Sequence, residues 1–187
     1  MRYLWFLTAL LWLPSVYAAL DGQQLVRDAR SQIGVTLTYD SAYRKLAYPM
    51  GDIEPSKGVC SDVVIRALRR QDKDLQRLVH EDMKKAWEQY PKNWGLKTID
   101  RNIDHRRVPN LEVYFKRHAN LRSLTDVADF QAGDIVTWRL DNNAPHIGIV
   151  SDKKSAGGIP LIIHNIGRGT QEEDILFKYK MVGHYRY

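Results

Sequence analysis

Cysteine is almost absent from this chain: Cys60 is the single one in 187 residues, so no intramolecular disulfide can staple the fold. No HExxH run, CxxC pair, phosphate-loop lysine motif or dinucleotide glycine fingerprint is present, so the expected cofactor and metal complement is none. His80, Glu81 and Asp82 are consecutive and point in different directions on a helix, which does not suit a metal. Internal repeats, low-complexity tracts and a linker rich in Pro, Gly and Ser are missing too. Fibrous and multidomain organisations are thereby excluded. With 44% hydrophobic residues and a net charge of only +6, disorder is excluded as well.

Long apolar runs are confined to the start. Residues 1–18 read MRYLWFLTALLWLPSVYA, with one cation, an apolar stretch from Tyr3 to Leu13, the helix breaker Pro14, and Val16 and Ala18 spaced as at a signal-peptidase site. This is the pattern of a cleavable secretory signal, too short to cross a bilayer comfortably; the alternative is an uncleaved anchor. The expectation is a signal peptide over 1–18, cleavage after Ala18, and one domain over 19–187 in the periplasm or outside the cell, with no stable membrane span. A sequence pI near 9.4 raises nucleic acid as a partner. Export turns that expectation toward an anionic cell-envelope polymer or lipid, and no nucleic acid.

Asp21 is a plausible N-cap for a helix over roughly Gly22–Ile33, with Leu25, Val26, Ala29 and Ile33 at helical spacing and Gly34 as a stop. VTLTYD then reads as extended, and AYPMGDIEPSKGV as a long loop. VCSDVVIRALRR places Val63, Val64, Ala67 and Leu68 on one helical face, with Cys60 in the first turn. A second helical stretch, LQRLVHEDMKKAWEQYP, ends at Pro91; 93–110 is irregular and polar, and a short helix is expected over Leu111–Arg117. The last third changes period. DIVTWRL, HIGIV and PLIIHNI are short, β-branched and separated by turn sequences, so they read as an antiparallel meander, with one or two further strands from ILFKYKMVGHYRY. Helices first and an antiparallel sheet afterwards define an α+β domain.

A lone exported cysteine is either an inert core residue or a thiol kept for its reactivity. Cys60 at a helix start has free backbone N–H groups of Ser61 and Asp62 beside it, able to receive an oxyanion. Asp62 either opposes thiolate formation or caps the helix. If the hairpin turn is centred near Ser155, His146 falls directly opposite His164, about 5 Å apart at Cβ; a one-residue slip would separate them onto opposite faces. Asn165 is then the nearest alternative orienting group and a candidate substrate-binding amide. Gly148 leaves the same face open to a close neighbour. His105 is a rival base. Cys60, His146 and His164 therefore form a candidate nucleophile, base and orienting group.

GVCSDVVIRAL resembles the nucleophile segment of NlpC-type cell-wall cysteine peptidases, AGDIVTW with PHIGIVSD resembles their paired strands, and LIIHN their strand bearing the third polar residue. GDIEPSKGVCSDVVIRALR, NIDHRRVPNL, HIGIVSD, HNIG and GHYRY together resemble a bacterial family known as domain of unknown function 1287. The resemblance implies a papain-like NlpC-type core, with N-terminal helices carrying the Cys packed on a C-terminal antiparallel sheet. It also implies Cys60 as nucleophile, His146 as base, His164 as the orienting residue, and Tyr48, twelve residues before Cys60, as a site-lining tyrosine. Val59 and Asp62 depart from the pattern, which has Asp and Gly there.

Arg106 and Arg107 are foreign to the general pattern. They either clamp a carboxylate bidentately or pair with Asp100 and Asp104 on a solvated face. The expected activity is amide hydrolysis in peptidoglycan peptides by a Cys–His–His mechanism. The alternatives are a non-catalytic binder of anionic wall polymer and a lipid ester or thioester hydrolase.

Overall fold

The computed structural model describes residues 20–187; the expected signal peptide lies outside the described residues. Asp21 caps α1 (Gly22–Arg30) by accepting from the backbone N–H groups of Gln23 and Gln24. The helix ends at Arg30, short of Ile33, and Gly34 turns the chain at φ 77°. Ile33 is left 38% exposed rather than in the core. β1 (Thr38–Tyr39) pairs in parallel with β2 (Lys57–Gly58), which leads straight into α2 (Cys60–Arg69). α3 (Leu75–Ala86) is capped by Asp74. α4 (Val108–His118) begins before the expected Leu111 because Pro109 fits the first turn, where its missing N–H costs nothing.

Six strands form the main sheet: β3 (Asn120–Leu121), β4 (Ile135–Arg139), β5 (Pro145–Lys154), β6 (Pro160–Asn165), β7 (Thr170–Glu173) and β8 (Lys180–Arg186). Their order is β3-β8-β4-β5-β6-β7, every neighbouring pair antiparallel. The fold is α+β. On one face Ile135, Ile147, Ile149 and Ile163 pack with Leu25, Val64, Leu68, Leu111 and Phe115 of the helices, and Cys60 belongs to this core. On the other, Val136, Trp138, Val150, Ile162 and Leu176 form a second cluster, and the Trp138 Nε1–H donates to the Leu176 carbonyl at 2.9 Å. Burying each such side chain contributes roughly 1.5–3 kcal/mol. No helix among the described residues is long and apolar enough to cross a membrane.

The β5–β6 register differs from the expected one. Ile149 faces Ile163 and Val150 faces Ile162, with an irregularity before the Lys154–Pro160 pair. Continuing that ladder sets His164 opposite Gly148, so His146 and His164 are diagonal rather than directly opposed. The offset is two residues, so both imidazoles keep the same face. Gly148 has to be glycine here: a Cβ would lie 2.7 Å from Ile162 Cγ2 and 3.1 Å from the His164 Cβ.

Candidate active site

Cys60 opens α2 and is 3% exposed. It lies in the wall of a 480 Å³ cleft shared with Tyr39, Tyr43, Trp94, Arg107 and Pro145. Val59 offers no capping side chain, so Asp62 does the capping: its Oδ2 accepts from the Val59 N–H at 2.7 Å. Burial pushes the Cys60 thiol up to about 11. Asp62 adds to the rise, while the Ile147 and Ser61 N–H groups and the Tyr39 hydroxyl hold it down. Desolvation therefore outweighs the helix N-terminus, and the resting sulfur is a neutral thiol.

The imidazoles form a chain on the sheet. His146 Nε2 is 2.9 Å from His164 Nδ1, with the rings edge to face at 84°. His164 Nε2 is 3.0 Å from Glu173 Oε2. Burial and the neighbouring His164 push His146 down to about 3; burial lowers His164 too, against the pull of Glu173. Both rings are neutral near pH 7. His146 is the cross-strand partner of Trp138 and shares its face, whereas Ile147, next in the chain, packs in the core with Cys60 and offers its N–H to the sulfur. The thiol thus meets β5 one residue from His146, but the imidazoles of His146 and His164 lie on the other face and do not line the cleft. No hydrogen bond joins either ring to Cys60 among the described residues. The His146 Nδ1 has no protein partner, yet it is not among the polar atoms sealed from solvent.

Several residues expected at the site have other duties. Arg106 forks onto Asp62, with Nε to Oδ1 at 3.0 Å and Nη2 to Oδ2 at 2.8 Å, and also donates to the Asp40 carbonyl. Its side chain is 3% exposed, so the guanidinium is not free to clamp a ligand. Ser61 Oγ donates to the Arg106 carbonyl at 2.7 Å, and this buried link fixes the 104–107 turn against α2. Asn165 is fully buried; its Nδ2 donates to the Gly58 carbonyl and its Oδ1 accepts from the Gly167 N–H. It ties the end of β6 to the segment before Cys60 and does not face a substrate. Tyr48 lies elsewhere, edge-on to His80 and beneath Arg101. Tyr39 takes the position expected of it, hydrogen-bonded to Cys60, and burial and the sulfur raise its pKa. His105 is buried among Arg106, Arg69, Asp74 and Asp52 and pushed down to about 3; it does not line the cleft. Arg107 does. It pairs with Asp104 at 3.3 Å and lies over the Trp94 ring at 4.5 Å, leaving a fifth of its side chain exposed.

Tyr39, Trp94 and Glu173 were not visible as site residues in the sequence. Tyr39 lies 21 positions before Cys60 in a two-residue strand, and Glu173 belongs to a polar strand, TQEE, without the alternation that marks β-structure. Trp94 carried one signal, an indole inside an otherwise polar irregular segment. It adopts φ 60°, in the left-handed region, and is 57% exposed.

Residues 26–187 match the family described as "Domain of unknown function (DUF1287)", and the chain belongs to that family. The uncharacterized protein YijF of Escherichia coli (strain K12) is 62% identical over 160 residues, covering 85% of this chain and 78% of that protein. Among solved structures, an N-acetylmuramoyl-L-alanine amidase from Bacteroides uniformis is similar with a TM-score of 0.55 at 10% identity, over 88% of this chain and 97% of that one. NlpC1 from Trichomonas vaginalis is similar with a TM-score of 0.50 at 18% identity, over 92% of this chain. The match takes in 46% of NlpC1, so this chain spans about half its length. What this chain shares with these solved structures is the fold.

Proposed function

We propose that this DUF1287 protein is an exported cysteine hydrolase that cleaves an amide bond in peptidoglycan peptides. The observation that carries this reading is the bare, unsealed Nδ1 of His146 at the start of a strand whose next N–H touches the Cys60 sulfur. The similarity in fold to a muramoyl-alanine amidase supports this choice of substrate class.

Because thiol and imidazole are both neutral, the reaction starts from no preformed ion pair. The His146 ring rests on the Trp138 face outside the cleft lining, so it swings round the start of β5 when substrate fills the cleft, and its Nδ1 then takes the thiol proton as the sulfur attacks the amide carbonyl. The N–H groups of the first turn of α2 and the Tyr39 hydroxyl stabilise the oxyanion. The amine leaves with the proton held by His146, and water then releases the acyl group from sulfur. Arg107 attracts the carboxylates of the stem peptide. Cys60→Ala is expected to abolish the release of fragments from purified muropeptides, followed by chromatography, without changing the circular dichroism spectrum. Unchanged turnover rejects the proposal.

Two observations favour a second reading. The raised thiol pKa and the absence, among the described residues, of a hydrogen bond from imidazole to sulfur suit a non-catalytic binder of an anionic wall polymer, held through Arg107. That reading expects salt-sensitive binding indifferent to Cys60→Ala.

A further inference from the structure

Three strands carry a diagonal line of side chains on one face of the sheet. His146 on β5, His164 on β6 and Glu173 on β7 are each offset by two residues from the position directly across. His164 faces Gln171 and Glu173 faces Ile162, while His164 itself stands opposite Gly148, two residues beyond His146. Diagonal neighbours on one face come within reach of long side chains, and here the two links are 2.9 and 3.0 Å. Arg168 Nη2 grips the other carboxylate oxygen of Glu173 at 2.5 Å.

We infer that Glu173 is a positioning residue that fixes the tautomers of both imidazoles and so keeps the lone pair of His146 on Nδ1. A carboxylate can only accept, so His164 must present Nε2–H to it. A neutral His164 then has a bare Nδ1, which accepts from His146 Nε2–H. A neutral His146 has one N–H, so its Nδ1 is unprotonated. The opposite tautomer of His146 would set two lone pairs against each other across 2.9 Å. When Nδ1 takes a proton, the Nε2–H bond to His164 is retained, so the relay serves the resting and the charged ring alike. Arg168 and Lys178 are the other charged groups acting on His164, and Arg168 anchors the carboxylate that sets the direction of the chain. The use of the lone pair rests on the hydrolase reading above; the tautomer assignment does not.

The test is a ¹⁵N spectrum of the imidazoles in the uniformly labelled protein at pH 7, with the His146 signals assigned by comparison with His146→Gln. The expected result is pyrrole-type Nε2 and pyridine-type Nδ1 for both His146 and His164. Glu173→Ala should mix the tautomers of both rings, and Glu173→Gln, whose amide oxygen still accepts, should restore them. In parallel, kcat on muropeptides should fall by at least about tenfold in Glu173→Ala with KM within about twofold, and recover in Glu173→Gln. A protonated Nδ1 on His146 in the wild-type protein overturns the inference, and needs no variant to fold. Tautomers unchanged in a folded Glu173→Ala protein overturn it equally. If the tautomers respond as expected while Cys60→Ala leaves hydrolysis intact, the hydrolase reading falls and the assignment of Glu173 stands.

Discussion

Arg106 and Arg107 are neighbours in the chain and opposites in the fold. Arg106 turns inward, where its guanidinium meets both oxygens of Asp62 and its carbonyl receives the Ser61 hydroxyl. Asp62 in turn caps the helix that begins at Cys60. Arg107 turns outward over Trp94, with a single contact to Asp104 at the limit of hydrogen bonding. The first is part of the frame that holds the thiol, and the second is the cation left for a ligand. The helix-start aspartate that seemed to threaten the thiolate is thereby matched by a cation. Sulfur burial, rather than the Asp62 charge, is the leading cause of the raised thiol pKa.

The largest effect should come from breaking the inward pair. Arg106→Ala leaves a buried carboxylate without its partner, and the expected loss is about 3–5 kcal/mol of unfolding free energy by urea titration. Replacing both partners, Arg106→Met with Asp62→Leu, should recover part of that loss. An Arg106→Ala protein of wild-type stability would mean that the two arginines do not differ in the way described.

His105, on the same inward turn, should make stability fall in acid. Its folded pKa of about 3 lies below the ordinary imidazole value of about 6.5. The unfolded chain therefore binds more protons between those limits, and stability is complete above pH 6.5 and lost as pH falls toward 3. At pH 5 the loss is about 2 kcal/mol from this group. His146 contributes with the same sign. Asp104, raised to about 6 by burial, acts the other way: it costs stability as pH rises from about 4 to 6. Urea midpoints from pH 7.5 to 5 should fall in the wild-type protein and fall less steeply in His105→Asn.

Asn165 extends the comparison to the sheet. It looked like a ligand-facing amide and instead binds Gly58 and Gly167. The Gly58 carbonyl also accepts from the Asp40 N–H, so Asn165→Ala leaves it partnered and should cost only about 1 kcal/mol. KM for muropeptides should not change; a large KM effect would return Asn165 to the substrate.

How much of this was legible in the sequence depended on the distance between partners. The cap of α1, the first turn holding Cys60 and the meander from Ile135 to Asn165 follow local rules, and each is present. The shared face of His146 and His164 survived a wrong register because parity, not the exact pairing, decides it. Arg106 and Asp62 are 44 positions apart, and nothing in HRR says which arginine turns inward; the three-residue 3₁₀ turn Asp104–Arg106 decides that. Glu173 was hidden for a related reason, since a polar edge strand is recruited by the hydrogen bonds of β6 and not by its own apolar pattern.

The smallest effect on stability, and the one that bears most on function, belongs to Arg107→Ala. Its contact with the buried Asp104 is long at 3.3 Å, and that carboxylate keeps the Asp100 N–H as a partner, so the unfolding free energy should stay within about 1 kcal/mol. The cleft beside Cys60 loses its outward cation all the same. A substrate bearing free carboxylates should then show KM raised about tenfold, equal to about 1.4 kcal/mol of binding, with kcat nearly unchanged, because the group binds ground state and transition state alike. Added salt should raise the wild-type KM and leave that of the variant almost constant, since screening acts only on a charge that is present. Equal salt sensitivity in the two proteins would show that the outward arginine is not the cation the substrate meets.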